Sequence, residues 1–125
     1  MPGIDVTTPR LPQEKKDELA KRLYETSYPY LNNRQIMVKI NEVDYYVNGL
    51  PRPDKIINLE TSAGSMSDQE IRSLCKELYL VCKEVLGDLR CFFTVHGSGS
   101  STFGINGLMF DDYKKASDEE KGMRD

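Results

Sequence analysis

Apolar and polar residues alternate strictly in four short stretches. Ile4 and Val6 share one parity, as do Ile36, Val38 and Ile40, then Ile57 and Leu59, then Cys91, Phe93 and Val95. A period of two predicts half-buried strands with one face in a core. The opposite parity carries Asp5, Thr7, Met37, Lys39, Asn58, Glu60, Arg90, Phe92 and Thr94, a mixed and partly charged face. Between the strands the period changes. Ile71, Leu74, Cys75, Leu78, Cys82, Val85 and Leu86 form one helical stripe. Ser67 and Glu70 match a capping box at its start, and Gly87 is a left-handed stop at its end. A second stripe, Leu19, Ala20, Leu23, Tyr24 and Tyr28, predicts a helix that starts near Pro12 and is ended or kinked by Pro29.

The same pattern occurs twice. "GIDVT" at 3–7 answers "IINLE" at 56–60, and "LAKRLY" at 19–24 answers "LCKELY" at 74–79. "IMVKI" at 36–40 answers "CFFTV" at 91–95, and "VNGL" at 47–50 answers "INGL" at 105–108. Four matches in one order point to duplication of a strand–helix–strand unit closed by an Asn-Gly turn. Each unit has the length of a βαβ crossover, so its two strands are expected to be parallel. The predicted fold is α+β: two tandem βαβ repeats forming a four-stranded mixed sheet with both helices on one face. Repeat one covers 2–50 and repeat two 55–110, within one domain of 1–110. The charged segment 111–125 reads as a tail or a short exposed helix. The helix-free face, with Met37 and Phe92 beside Asp5, Lys39 and Arg90, reads as a surface between subunits.

Composition narrows the function. The net charge of −3 over 125 residues argues against a general nucleic-acid binder, whose affinity needs a basic field. No stretch reads as a signal peptide or a membrane span, and the cysteines are an odd three, so reduced thiols in the cytoplasm are expected. Cys75 and Cys82 lie on the helical stripe and read as core. The one histidine, His96, has no metal-spaced partner and reads as a strand-end residue. "GSGSST" at 97–102 lacks the lysine of a phosphate-binding loop and reads as a flexible connection.

The remaining candidate chemistry is at "MPGIDVTT". With Met1 removed, Pro2 presents a secondary amine. Its ordinary pKa of about 8 is lowered by apolar walls and nearby cations, which disfavour its charged form. A neutral amine poised near working pH is a general base, and its conjugate acid returns the proton. Such a site needs cations for an acidic substrate and a developing enolate. Arg10, after the first strand, and Arg90, within the fourth, are the candidates. Phe103 offers an apolar wall.

These features resemble the tautomerase superfamily, which includes 4-oxalocrotonate tautomerase and macrophage migration inhibitory factor. The resemblance rests on Pro2 heading strand one, on the two βαβ repeats, and on "TFGINGL" at 102–108. That stretch is similar to the Phe-Gly-Ile-Gly-Gly signature of 4-oxalocrotonate tautomerase. It spans residue 2 to about 110, and the double length resembles members built as two fused short subunits. The resemblance implies that Pro2 is the catalytic base and acid, and that Arg90 meets the substrate's carboxylate or carbonyl oxygen. It implies that Arg10 binds a second carboxylate, although Arg10 stands one residue nearer the proline than in the family. It further implies that Phe103 helps lower the proline pKa. The implied activity is keto-enol proton transfer on a 2-keto or 2-hydroxydienoic acid, without a cofactor, in a homotrimer with sites between subunits. The alternatives are a Pro2-dependent decarboxylase, hydratase or dehalogenase of the same superfamily, and a non-catalytic binding module on the same scaffold. The second repeat departs from the pattern: no arginine precedes its helix at "SAGSMS", and the internal Ile57 cannot supply an amine.

Overall fold

The computed structural model describes residues 2–31, 35–52, 56–62, 64–97 and 103–121. Most of "GSGSST", from 98 onward, therefore lies outside the described residues, as does Ala63 of "SAGSMS". The predicted alternation forms strands β1 (Gly3–Thr8), β2 (Met37–Glu42), β5 (Ile56–Ser62) and β6 (Arg90–His96). The two stripes form helices α1 (Gln13–Leu31) and α2 (Asp68–Leu86). β1 pairs parallel with β2 around α1, and β5 pairs parallel with β6 around α2. The two units meet along an antiparallel β1–β5 seam, with Asp5 opposite Glu60 and Val6 opposite Leu59.

The sheet has six strands, not the four expected. Its order is β2-β1-β5-β6-β7-β8, where β7 (Phe103–Ile105) and β8 (Leu108–Met109) extend the β6 edge. The cause is the Asn106–Gly107 turn. Both residues take left-handed backbone, φ 48° and 85°, which folds the chain back as a tight hairpin. Asn106 then ties that hairpin to β6. Its N–H donates to the Cys91 carbonyl at 2.8 Å, and its Oδ1 accepts from the Cys91 N–H at 2.8 Å. The matching turn of the first repeat, Asn48–Gly49, closes β3 (Tyr46–Val47) onto β4 (Leu50–Pro51), but this pair stands as a separate two-stranded ladder.

Both helices cover one face, as the parity predicts. Leu19 and Leu23 of α1 and Ile71, Leu74 and Leu78 of α2 are buried against Ile4, Val6, Ile57, Leu59, Phe93 and Val95. Burying each such side chain contributes about 1.5–3 kcal/mol, far more than any exposed ion pair in the molecule. The capping box at Ser67 is formed in both directions, and Gly87 ends α2 at φ 84°. Pro29 does not end α1, which runs on to Leu31. A proline this close to the end disrupts only the final turn, so its cost is local. Burial and the Glu77 carboxylate, which accepts from the Tyr30 hydroxyl across the helix pair, push the Tyr30 phenol up to about 12. Past the sheet, α3 (Phe110–Tyr113) and α4 (Asp118–Lys121) are single turns, and the Lys121 carbonyl accepts from Asn106 Nδ2 at 2.9 Å. No helix among the described residues is long and apolar enough to cross a membrane.

Gly3 marks a close approach in the β1–β2 pairing. A Cβ there would fall 2.3 Å from the Met37 carbonyl oxygen, a backbone atom that cannot turn aside. Gly3→Ala is therefore expected to destabilise the fold by about 1–3 kcal/mol, the range for forced overpacking. Thermal denaturation checks this; an unchanged midpoint would mean that β2 shifts freely away from β1.

Candidate active site

Pro2 is half-buried immediately before β1. Its carbonyl accepts from the Met37 N–H at 3.1 Å, which pins the head of β1 to the head of β2. The Thr61 hydroxyl donates to the Gly3 carbonyl at 2.9 Å and ties the same point to β5. A pocket of about 170 Å³ opens beside it, on the helix-free face. It is lined by Gly3, Asp5, Met37, Glu60, Thr61, Ser62 and His96. Alternation explains the lining: each of these except Thr61 lies on the parity opposite to the core residues of its strand. His96 Nε2 lies 3.1 Å from Glu60 Oε2, and Glu60 faces Asp5 across the antiparallel seam. Lys39 stands beside Asp5 in the β1–β2 register.

The other predicted site residues lie elsewhere in the chain. Arg90 opens β6 in register with Ile56, whereas His96 and Ser62 close their strands at the Pro2 end. Six residues of strand separate the two levels, about 20 Å at ~3.3 Å per residue. Arg10 follows the far end of β1, so it shares that end of the sheet with Arg90. Its guanidinium holds Asp44 at 2.8 Å, with both side chains about 70% exposed. An exposed pair of this kind contributes at most about 1 kcal/mol, so Arg10 can exchange Asp44 for another carboxylate at little cost. Phe103 lies on β7 opposite Thr94, stacked on Phe92 at 5.9 Å and tilted against Phe110 at 6.2 Å. It is three strands from β1, roughly 14 Å across the sheet. One chain thus brings Arg10 and Arg90 to one end and leaves Pro2 at the other.

The helix-free face is not wholly bare. Tyr45 crosses it, donating from its hydroxyl to the Thr7 carbonyl at 2.9 Å and accepting from Asn58 Nδ2 at 3.0 Å. Burial raises its pKa, against the opposing effect of the Asn58 hydrogen bond. The three cysteines are buried in the core. Burial pushes the Cys75 thiol up to about 12, and a hydrogen bond with Cys82 together with burial raises Cys91, so neither of these two is set up as a nucleophile.

Sequence reasoning passed over His96 and Glu60. Both sit on the predicted open-face parity, so their side was legible. Their meeting depends on the β5–β6 register, which neither stretch reveals alone.

No family model matches the chain, and no curated protein matches it. Solved structures do. Macrophage migration inhibitory factor of Toxoplasma gondii superposes with a TM-score of 0.66 at 16% identity, over 87% of this chain and 100% of that one. A fused 4-OT, R7, in an asymmetric trimer, superposes with a TM-score of 0.64 at 17% identity, over 90% of this chain and 99% of that one. Pt0534, inactivated by 2-oxo-3-pentynoate, superposes with a TM-score of 0.57 at 15% identity, over 74% and 85%. The first two are macrophage migration inhibitory factor and 4-OT proteins of the tautomerase superfamily, and theirs is the fold this chain adopts.

Proposed function

We propose that the chain is a cofactor-independent tautomerase whose free Pro2 amine moves a proton between the oxygen and carbon of an enolised 2-keto acid. The observation that carries this reading is the place of Pro2. It heads β1 directly before Gly3, which lines a pocket of about 170 Å³, on a fold shared with fused 4-OT proteins. The inactivation of Pt0534 by a 2-oxo acid supports the substrate class. The amine exists only once Met1 is removed; until then Pro2 nitrogen is an amide with no basicity.

The split geometry supports a trimer, the assembly of the fused 4-OT neighbours. In this reading Pro2 of one copy faces Arg10, Arg90 and Phe103 of the next. The guanidiniums take the carboxylate and the developing enolate oxygen, and Phe103 supplies the apolar wall. The prolinium delivers its proton to carbon and returns as base. Such a small-molecule enzyme requires no nucleic acid or membrane, and a cytoplasmic location suits its reduced thiols.

The test is ketonisation of enol phenylpyruvate by protein whose intact mass shows the loss of Met1. Pro2→Ala is expected to lower kcat/KM by about 10²–10⁴, the range for removal of a general acid–base. Equal rates for the two proteins would exclude proline catalysis.

A further inference from the structure

We propose that His96, held by Glu60, is the second proton-transfer group of the Pro2 site. The inference rests on the Pro2 reading above and adds a residue to it. His96 and Gly3, the neighbour of Pro2, line the same pocket from β6 and β1. Both His96 and Glu60 are at least half exposed in the single chain, so both side chains are open to the pocket.

Tautomer logic gives the imidazole a direction. An ionised Glu60 only accepts, so the Nε2 that it meets at 3.1 Å carries the hydrogen. The lone pair is then on Nδ1, free to take a proton, and Glu60 steadies the imidazolium that results. In ketonisation, the enol O–H proton passes to His96 Nδ1. The electron pair of that O–H bond closes the carbonyl, and the C=C pair takes the proton of the prolinium to form the new C–H bond. Pro2 ends neutral and His96 cationic, and one proton returns from His96 to Pro2 through solvent. Charge and atoms balance without another reactant.

The surroundings orient the substrate to suit. Asp5 and Glu60 repel the substrate's carboxylate from the His96 side, which leaves the enol oxygen as the group directed there. Among the described residues, the charged side chains that line the pocket with His96 are Asp5 of β1 and Glu60 of β5, and Lys39 of β2 stands in register with Asp5.

His96→Gln keeps the size and polarity of the strand end and removes the titrating group. On enol phenylpyruvate it is expected to lower kcat by about 10²-fold, within the general acid–base range. It is also expected to erase the acidic limb of the pH–rate profile while the limb set by Pro2 stays. A wild-type rate and profile would overturn the proposal. Pro2→Ala at the full wild-type rate would instead remove the reading beneath it. A second measurement needs no activity. The chain has one histidine, so one set of imidazole C–H resonances reports it. Adding phenylpyruvate to folded Pro2→Ala protein is expected to shift those resonances; resonances that do not move also overturn the assignment.

Discussion

Co-expressed Pro2→Ala and Arg90→Ala chains are expected to recover turnover that neither variant has alone. In the proposed reading, Pro2→Ala loses the base, about 10²–10⁴ in rate. In the same reading, Arg90→Ala loses the cation at the developing enolate, about 10²–10³. The two positions lie at opposite ends of β5, about 20 Å apart along the strands, and a substrate of a few carbons cannot span that distance. If both act on one substrate, they come from different copies. A whole site then draws Pro2 from one variant and Arg90 from the other. Random assembly of equal amounts leaves about a quarter of the sites whole. Recovery to that fraction is a gain of tens of fold or more over either parent. The measurement is ketonisation rate against the ratio of the two chains, with a maximum near equal amounts. A mixture no faster than its better parent would remove Arg90 from the site while leaving Pro2 untouched.

The two strand parities were readable because one face of β1, β5 and β6 is dry. Ile4 and Val6, Ile57 and Leu59, and Cys91, Phe93 and Val95 are all buried, and the opposite parity lies on the helix-free face as expected. The capping box of α2 was equally local and equally readable. β7 was not, because its core-facing residue is a glycine. A Cβ on Gly104 would fall 2.9 Å from Cys75 Sγ and 3.0 Å from the Leu108 carbonyl oxygen, so no side chain fits where alternation would show one. Phe103 and Ile105 then show no core-facing partner between them to mark a strand. The strand face of Arg90 was legible, but its distance from Pro2 was not. Arg90 looked close to the chemistry because it shares the open face with Asp5 and Glu60. The antiparallel β1–β5 register is what sends Pro2 and Arg90 to opposite ends. The same register brings His96, read as a plain strand end, to the pocket.

Asn106→Ala is expected to destabilise the fold by about 2–4 kcal/mol, whereas Asn48→Ala costs about 1 kcal/mol or less. The two residues occupy matching places in the repeats, with left-handed φ of 48° and 53°. Local strain on an alanine is therefore similar at both. What differs is the surroundings. Asn48 is exposed on the detached β3–β4 hairpin. Asn106 is 6% exposed, accepts from the Cys91 N–H through Oδ1, and donates through Nδ2 to the Lys121 carbonyl. Alanine leaves the Cys91 N–H, on a strand buried among core residues, without that partner. An orphaned buried donor costs about 1–3 kcal/mol, in addition to the strain. The loss also releases α4 from the turn. Chemical denaturation of the two variants side by side checks the difference. Equal midpoints would mean that β7 and β8 are held to β6 by the ladder alone. The result also bears on the site, because Phe103 keeps its place against Phe92 only while β7 stays on the β6 edge.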